Sequence, residues 1–292
     1  MSHLLTTVSG DFGAVTWNKR NWCDLLPAPA PRKEAGERFA GRKVLPGHGA
    51  KAFPIRWEMG ARDTMVTWIA GATGELGRAL VAGFLGRGDR VVGLGRSPAA
   101  DAEEEGYRYL DGDLASSEGV KALTDRAQAF GPVENLVVAV GAWSGGTPVH
   151  EVAPREWEAM LEANLTVPFR LMRAAMGIMV QRRRGRVVTV GSLSAMDAAP
   201  GQGAYNAAKA GLLALTRTVA AEGARSGICA ACLLPATIDT AANRRAMATA
   251  DPAGWVDPAA LVELALFLTG PHGAQLNGAA LTVAGPPAAS RS

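Results

Sequence analysis

From residue 66 onward the chain alternates short apolar runs with stretches in which apolar residues recur every three or four positions. Val66, Ile69 and Ala70 form the first run, and Leu76, Leu80, Val81, Phe84 and Leu85 follow at helical spacing up to Gly86 and Gly88. Further runs at 90–94, 136–140, 186–190, 230–234 and 280–283 read as strands, and a short extended segment closes at Asp111-Gly112-Asp113-Leu114. Helical patterns lie between them, in Phe169, Leu171, Met172, Met176 and Met179, in 205–223 and in 258–268. The run at 136–140 is apolar without alternation, as strands covered on both faces of a parallel sheet are.

Residues 1–64 follow no such period. Pro, Gly and charge dominate 27–49, and ten Lys/Arg against six Asp/Glu give this segment a net charge of +4. It reads as an irregular or disordered extension preceding a domain at 65–292, although Trp17, Trp22 and Trp57 give it surfaces to pack with. Met59 and Met65 stand just ahead of the first strand as alternative starts. Subtracting the extension from the whole chain leaves 20 basic and 21 acidic residues, so the body is neutral and carries no nucleic-acid signature. The run Arg182, Arg183, Arg184 and Arg186 closes a helical pattern, where cations complement the helix dipole. No stretch approaches the roughly 20 apolar residues of a membrane span. Three cysteines, Cys23, Cys229 and Cys232, favour a reducing cytoplasmic setting over a disulfide framework. Cys229 and Cys232 sit three apart on a strand and so point to opposite faces, and the four histidines are scattered, so no metal site is expected.

Between the first strand and helix lie Gly71, Thr73, Gly74, Glu75, Leu76 and Gly77. Glycines at such a junction permit a tight turn and let the backbone approach a pyrophosphate held at the helix N-terminus. The second strand ends at Arg96 and Ser97, where an arginine accommodates the 2′-phosphate of NADP and an acid would favour NAD. NADP(H) is therefore expected, with NAD(H) the alternative, and Asp113 and Leu114 stand where an adenine could lie. Further on, Tyr205 and Lys209 are four apart, so a helix stacks them on one face. A nearby ammonium lowers the pKa of a phenol, which is about 10 when unperturbed.

With these residues in order, 65–285 resembles a short-chain dehydrogenase/reductase. The resemblance implies an α/β fold, a single doubly wound Rossmann domain with a parallel sheet. Ser192 precedes Tyr205 by thirteen positions, which is typical of that family's catalytic serine and tyrosine, with Ser194 as a neighbouring hydroxyl. Asn164 in the segment WEAMLEANLTVPF matches its active-site asparagine, and Val138-Ala139-Val140-Gly141 takes the place of its Asn-Asn-Ala-Gly motif. Pro235, Ile238 and Thr240 match the loop that lies against the nicotinamide, with Ala236 for glycine. Glu75 departs from the commoner glycine pattern and sets an acid beside the phosphates.

The activity implied is hydride transfer from NADPH to a carbonyl substrate, with Tyr205 as general acid. Ser192 would hold the substrate oxygen, Lys209 the tyrosine and the ribose, and Asn164 a water. Homodimers or homotetramers are the family's common states. The segments 141–146 and 233–247 are similar to those of dihydropteridine reductases, in which case Trp143 would stack on a flat heterocycle. A non-catalytic NADP(H)-binding regulator on the same fold is the alternative of another class.

Overall fold

The computed structural model describes residues 64–96 and 102–286, all within the unit Glu58–Ser292. The extension expected at 1–64, save its last residue, lies outside the described residues, as do Ser97 and Cys23. The chain runs β1 (Val66–Ala70), α1 (Glu75–Gly86), β2 (Arg90–Gly95), β3 (Ala102–Glu104), β4 (Tyr107–Asp111), α2 (Ser117–Gln128) and β5 (Asn135–Val138). It continues with α3 (Pro154–Leu161), α4 (Val167–Arg182), β6 (Gly185–Val190), α5 (Gly203–Gly223), β7 (Ile228–Pro235), α6 (Ala241–Ala246), α7 (Pro258–Thr269) and β8 (Ala280–Val283).

One sheet holds all these strands in the order β3-β4-β2-β1-β5-β6-β7-β8. Seven are parallel, and β3 is an antiparallel edge paired with β4. β1 carries β2 on one side and β5 on the other. The winding therefore reverses between β1 and β5, which opens a crevice at their C-terminal ends.

Side chains alternate across the central strands and sort the core into two layers. Trp68, Val92, Leu136, Val138, Leu171, Met172 and Leu212 pack on one face. Ile69, Leu80, Phe84, Val137, Val188, Leu261 and Leu268 pack on the other, under α1 and α7. At the opposite end of β1 a buried ion pair ties β1 and the turn after α1 to α7. Asp89 accepts from Arg87 Nε at 3.0 Å, from Arg87 Nη2 at 2.6 Å and from Thr67 Oγ1 at 2.5 Å. Arg87 Nη1 also donates to Thr269 Oγ1 at 2.7 Å and to the Leu266 carbonyl of α7 at 3.1 Å.

Three features differ from the sequence expectations. The strand expected at 136–140 is Asn135–Val138, so Val140 and Gly141 leave the sheet and turn over the crevice. The antiparallel edge β3 was not anticipated. α3 and α4 are joined without a break by one turn of π-helix, Glu162–Thr166, with Asn164 at its centre. The arginine run is a helix end as expected: Arg183 takes a left-handed conformation and donates to the Arg225 carbonyl, and Arg184 pairs with Glu134. Among the described residues no helix is long and apolar enough to cross a membrane, and no group of three His, Cys, Asp or Glu is placed to hold a metal ion.

Candidate active site

The crevice at the switch point is a cleft of about 560 Å³. The glycine turn makes one wall. Gly71 has φ +87°, and a Cβ there would lie 2.8 Å from the Ala139 carbonyl oxygen. A Cβ at Gly77 would lie 2.0 Å from the Gly71 carbonyl oxygen, so only glycine lets α1 seat on the turn. Gly74, the N-cap of α1, offers no side-chain acceptor to the first-turn amides. Those amides face the cleft at the positive end of a twelve-residue helix, a setting suited to an anion. A dinucleotide phosphate fits this wall: the turn is bare of side chains at Gly71, Gly74 and Gly77, and the cleft beside it has room.

Thr73, Glu75, Leu76, Val140, Gly141, Tyr205, Lys209, Ile238 and Thr240 line the same cleft. Arg96, Asp113, Leu114 and Pro235 lie outside that lining. Arg96 is exposed at the end of β2, near enough to Asp113 to favour its charged form. The Asp113 carboxylate lies below its usual pKa mainly because Ser116 Oγ donates to it at 2.6 Å and the Ala115 N–H at 2.7 Å. Leu114 is buried in the core, and Pro235 ends β7 paired with Val283.

The chemistry-bearing side chains converge where β5, β6 and the start of α5 meet. Ser192 leaves β6, and its Oγ accepts from the Ser194 N–H at 3.1 Å. Tyr205 stands in the first turn of α5 and Lys209 one turn on, buried. Burial pushes the Tyr205 phenol above its ordinary value, and a hydrogen bond with the Ser192 side chain holds part of that rise back. Burial lowers Lys209 to about 8, with the neighbouring Cys232 opposing. Lys209, expected to depress the phenol, is not among the groups that set its shift. Its Nζ donates to the Val190 carbonyl of β6 at 3.1 Å and faces the Tyr205 ring, 5.7 Å from the centroid. Burial dominates the tyrosine, and Ser192 is the group that counters it.

Asn164 is wholly buried and binds backbone rather than pointing at the cleft. Its Nδ2 donates to the Ala142 carbonyl at 2.9 Å and the Met160 carbonyl at 3.0 Å, and its Oδ1 accepts from the Ala142 N–H at 3.2 Å. The π turn is thereby latched to the segment after β5. A Cβ at Gly141 would meet Asn164 Oδ1 at 2.8 Å and Lys209 Nζ at 3.3 Å, so all three lie together. Trp143, in the same segment, is 58% exposed. Cys229 and Cys232 are free thiols, the first half-buried and the second buried.

Arg78, Ala139, Val190, Gly191, Ala241, Ala242 and Arg245 also line the cleft and were not singled out from the sequence. Arg78 had a legible signal, since it lies four residues after Gly74 on the helix that starts there. Its Nη1 donates to the Thr73 carbonyl at the lip of the turn. Glu75 reaches across the cleft, its Oε2 accepting from the Ala241 N–H at 2.8 Å.

A family model described as short chain dehydrogenase matches residues 65–251. The chain is 31% identical over 237 residues to the 3-oxoacyl-(acyl-carrier-protein) reductase FabG of Vibrio cholerae, covering 75% of this chain and 96% of that protein. It is 33% identical over 192 residues to nodulation protein G of Rhizobium meliloti, covering 63% and 76%. A solved oxidoreductase of the short chain dehydrogenase/reductase family from Burkholderia thailandensis has a TM-score of 0.66 at 31% identity, over 76% of this chain and 92% of that one. A variant of actinorhodin polyketide ketoreductase solved with NADPH has a TM-score of 0.69 at 25% identity, over 78% and 98%.

Proposed function

The chain belongs to the short chain dehydrogenase family of oxidoreductases, and on that premise we propose that it is an NADP(H)-preferring reductase of a carbonyl compound with Tyr205 as general acid. The observation that carries this reading is the meeting of Ser192, Tyr205 and buried Lys209 beside the glycine cleft. When bound there, the nicotinamide supplies the hydride. Gly71, Gly74, Gly77 and the first-turn amides of α1 would hold its phosphates, with Ile238 and Thr240 on the facing wall. Arg96 at the end of β2 supports NADP over NAD, as does the NADPH in the actinorhodin ketoreductase.

Ser192 orients the substrate oxygen and stabilises the charge that develops on it. Tyr205 then gives that oxygen a proton. The hydrogen bond with Ser192 works against the rise that burial imposes on the phenol, the direction a proton donor at neutral pH needs. Lys209, charged below about pH 8, sets a cation against the tyrosine ring as the phenolate forms. Asn164 fixes the segment after β5, and its carbonyl lacks the usual helical donor because Pro168, four residues on, has no N–H. Asn164 is wholly buried, so its part in the reaction is to position that segment.

Trp143, Val149 and Met196 are 58%, 74% and 61% exposed in the segments after β5 and β6. Such a rim suits a substrate with an apolar body. A second reading, reduction of a flat heterocycle such as quinonoid dihydropterin, rests on the open face of Trp143. The test is NADPH oxidation against a panel of 3-oxoacyl thioesters, aromatic and aliphatic ketones and quinonoid dihydropterin. Turnover of ketones or thioesters supports the first reading, and turnover of the pterin alone replaces it with the second. NADPH binding without turnover of anything in the panel would favour a non-catalytic regulator.

A further inference from the structure

The glycine turn carries an acid where an anion is to bind. Glu75, the first residue of α1, is exposed and reaches the N–H of Ala241, the first residue of α6, at 2.8 Å. These residues stand on opposite walls of the cleft. Thr240 caps α6 by accepting from Asn243 N at 3.2 Å, so the Ala241 amide is left to the Glu75 carboxylate. Arg244 is held by Asp239 through two bonds of 2.6 and 2.7 Å and also feels the charge of Glu75. The contact joins the glycine turn to α6. It also places a negative charge beside the amides of Leu76 and Gly77.

We propose that Glu75 is a charge gate on cofactor entry. It ties α6 to the glycine turn, and the phosphates of a dinucleotide approach against its charge and displace it from Ala241. This rests on the dinucleotide reading of the cleft given above. The repulsion grows with ligand charge, so it weighs more on NADPH than on NADH, and salt screens it.

The test compares the full-length protein with Glu75→Gln, which removes the charge and keeps an acceptor for Ala241, and with Glu75→Ala, which removes both. Cofactor binding is followed by nucleotide fluorescence and α6 by trypsin cleavage after Arg244 and Arg245 without cofactor. Glu75→Gln should bind NADPH about three- to tenfold more tightly, gain less for NADH, and lose most of the gain at about 0.5 M salt. Glu75→Ala should be cut at α6 several-fold faster than the wild type, and Glu75→Gln at the wild-type rate. Unchanged or weaker NADPH binding by Glu75→Gln overturns the gate, and unchanged cleavage of Glu75→Ala overturns the tie. A wild type that binds neither cofactor overturns the dinucleotide reading instead, and the cleavage comparison still decides the tie.

Discussion

Lys209 is the residue where function and stability pull apart. Its pKa is about 8 in the folded chain against an ordinary 10.5. Between those values the unfolded chain holds the proton and the native chain has released it, so this site's contribution to stability rises with pH across that window. Below pH 8 the full cost of burying the charge is present. Lys209→Met removes the titration. Relative to that variant, the wild type should gain on the order of 2 kcal/mol between pH 7 and pH 10, read from urea unfolding at both pH values. A difference that stays constant with pH contradicts the assignment. The pairing of Tyr205 with Lys209 on one helical face was legible from their spacing alone. The direction of the electrostatics was not, because burial depends on how α5 packs on its neighbours β6 and β7, which spacing along the helix does not show.

The π turn shows the same limit at the level of an element. A helical pattern runs through 154–182, and its period conceals the extra residue in the turn at Glu162–Thr166. The signal was the pair Asn164 and Pro168, since a proline four residues on cannot donate to the asparagine carbonyl. Asn164→Leu leaves the N–H and carbonyl of Ala142 without their partner, and should cost about 1–3 kcal/mol in denaturant unfolding. An unchanged midpoint would show that the latch is dispensable. Asp89→Ala strands the Arg87 guanidinium against α7, and should cost about 3–5 kcal/mol. Thermal unfolding of that variant within a degree of the wild type would contradict the role given to the pair. The strands β1, β2, β6, β7 and β8 were readable as apolar runs. β3 was not, because Glu103-Glu104-Glu105 carries no strand pattern and its pairing depends on β4.

For the whole molecule, the order of strands places the reversal of the sheet under the cleft, and the groups proposed to act gather at the C-terminal ends of β1, β2, β5, β6 and β7. On the outside of α4, Phe169 and Val180 are 44% and 46% exposed and share a face with Met176. An apolar stripe of this kind fits the homo-oligomer expected from the family. Light scattering should give a dimer or tetramer for the wild type and a smaller species for Phe169→Glu with Val180→Glu. A monomeric wild type contradicts it.

In the proposed reaction Tyr205 protonates a carbonyl oxygen reduced by NADPH. The most direct test is Tyr205→Phe, assayed for turnover of an active substrate with NADPH affinity measured on the same preparation. Turnover should fall by about 10²–10⁴ with NADPH affinity within a few-fold of the wild type. Turnover that survives the loss of the hydroxyl would contradict it.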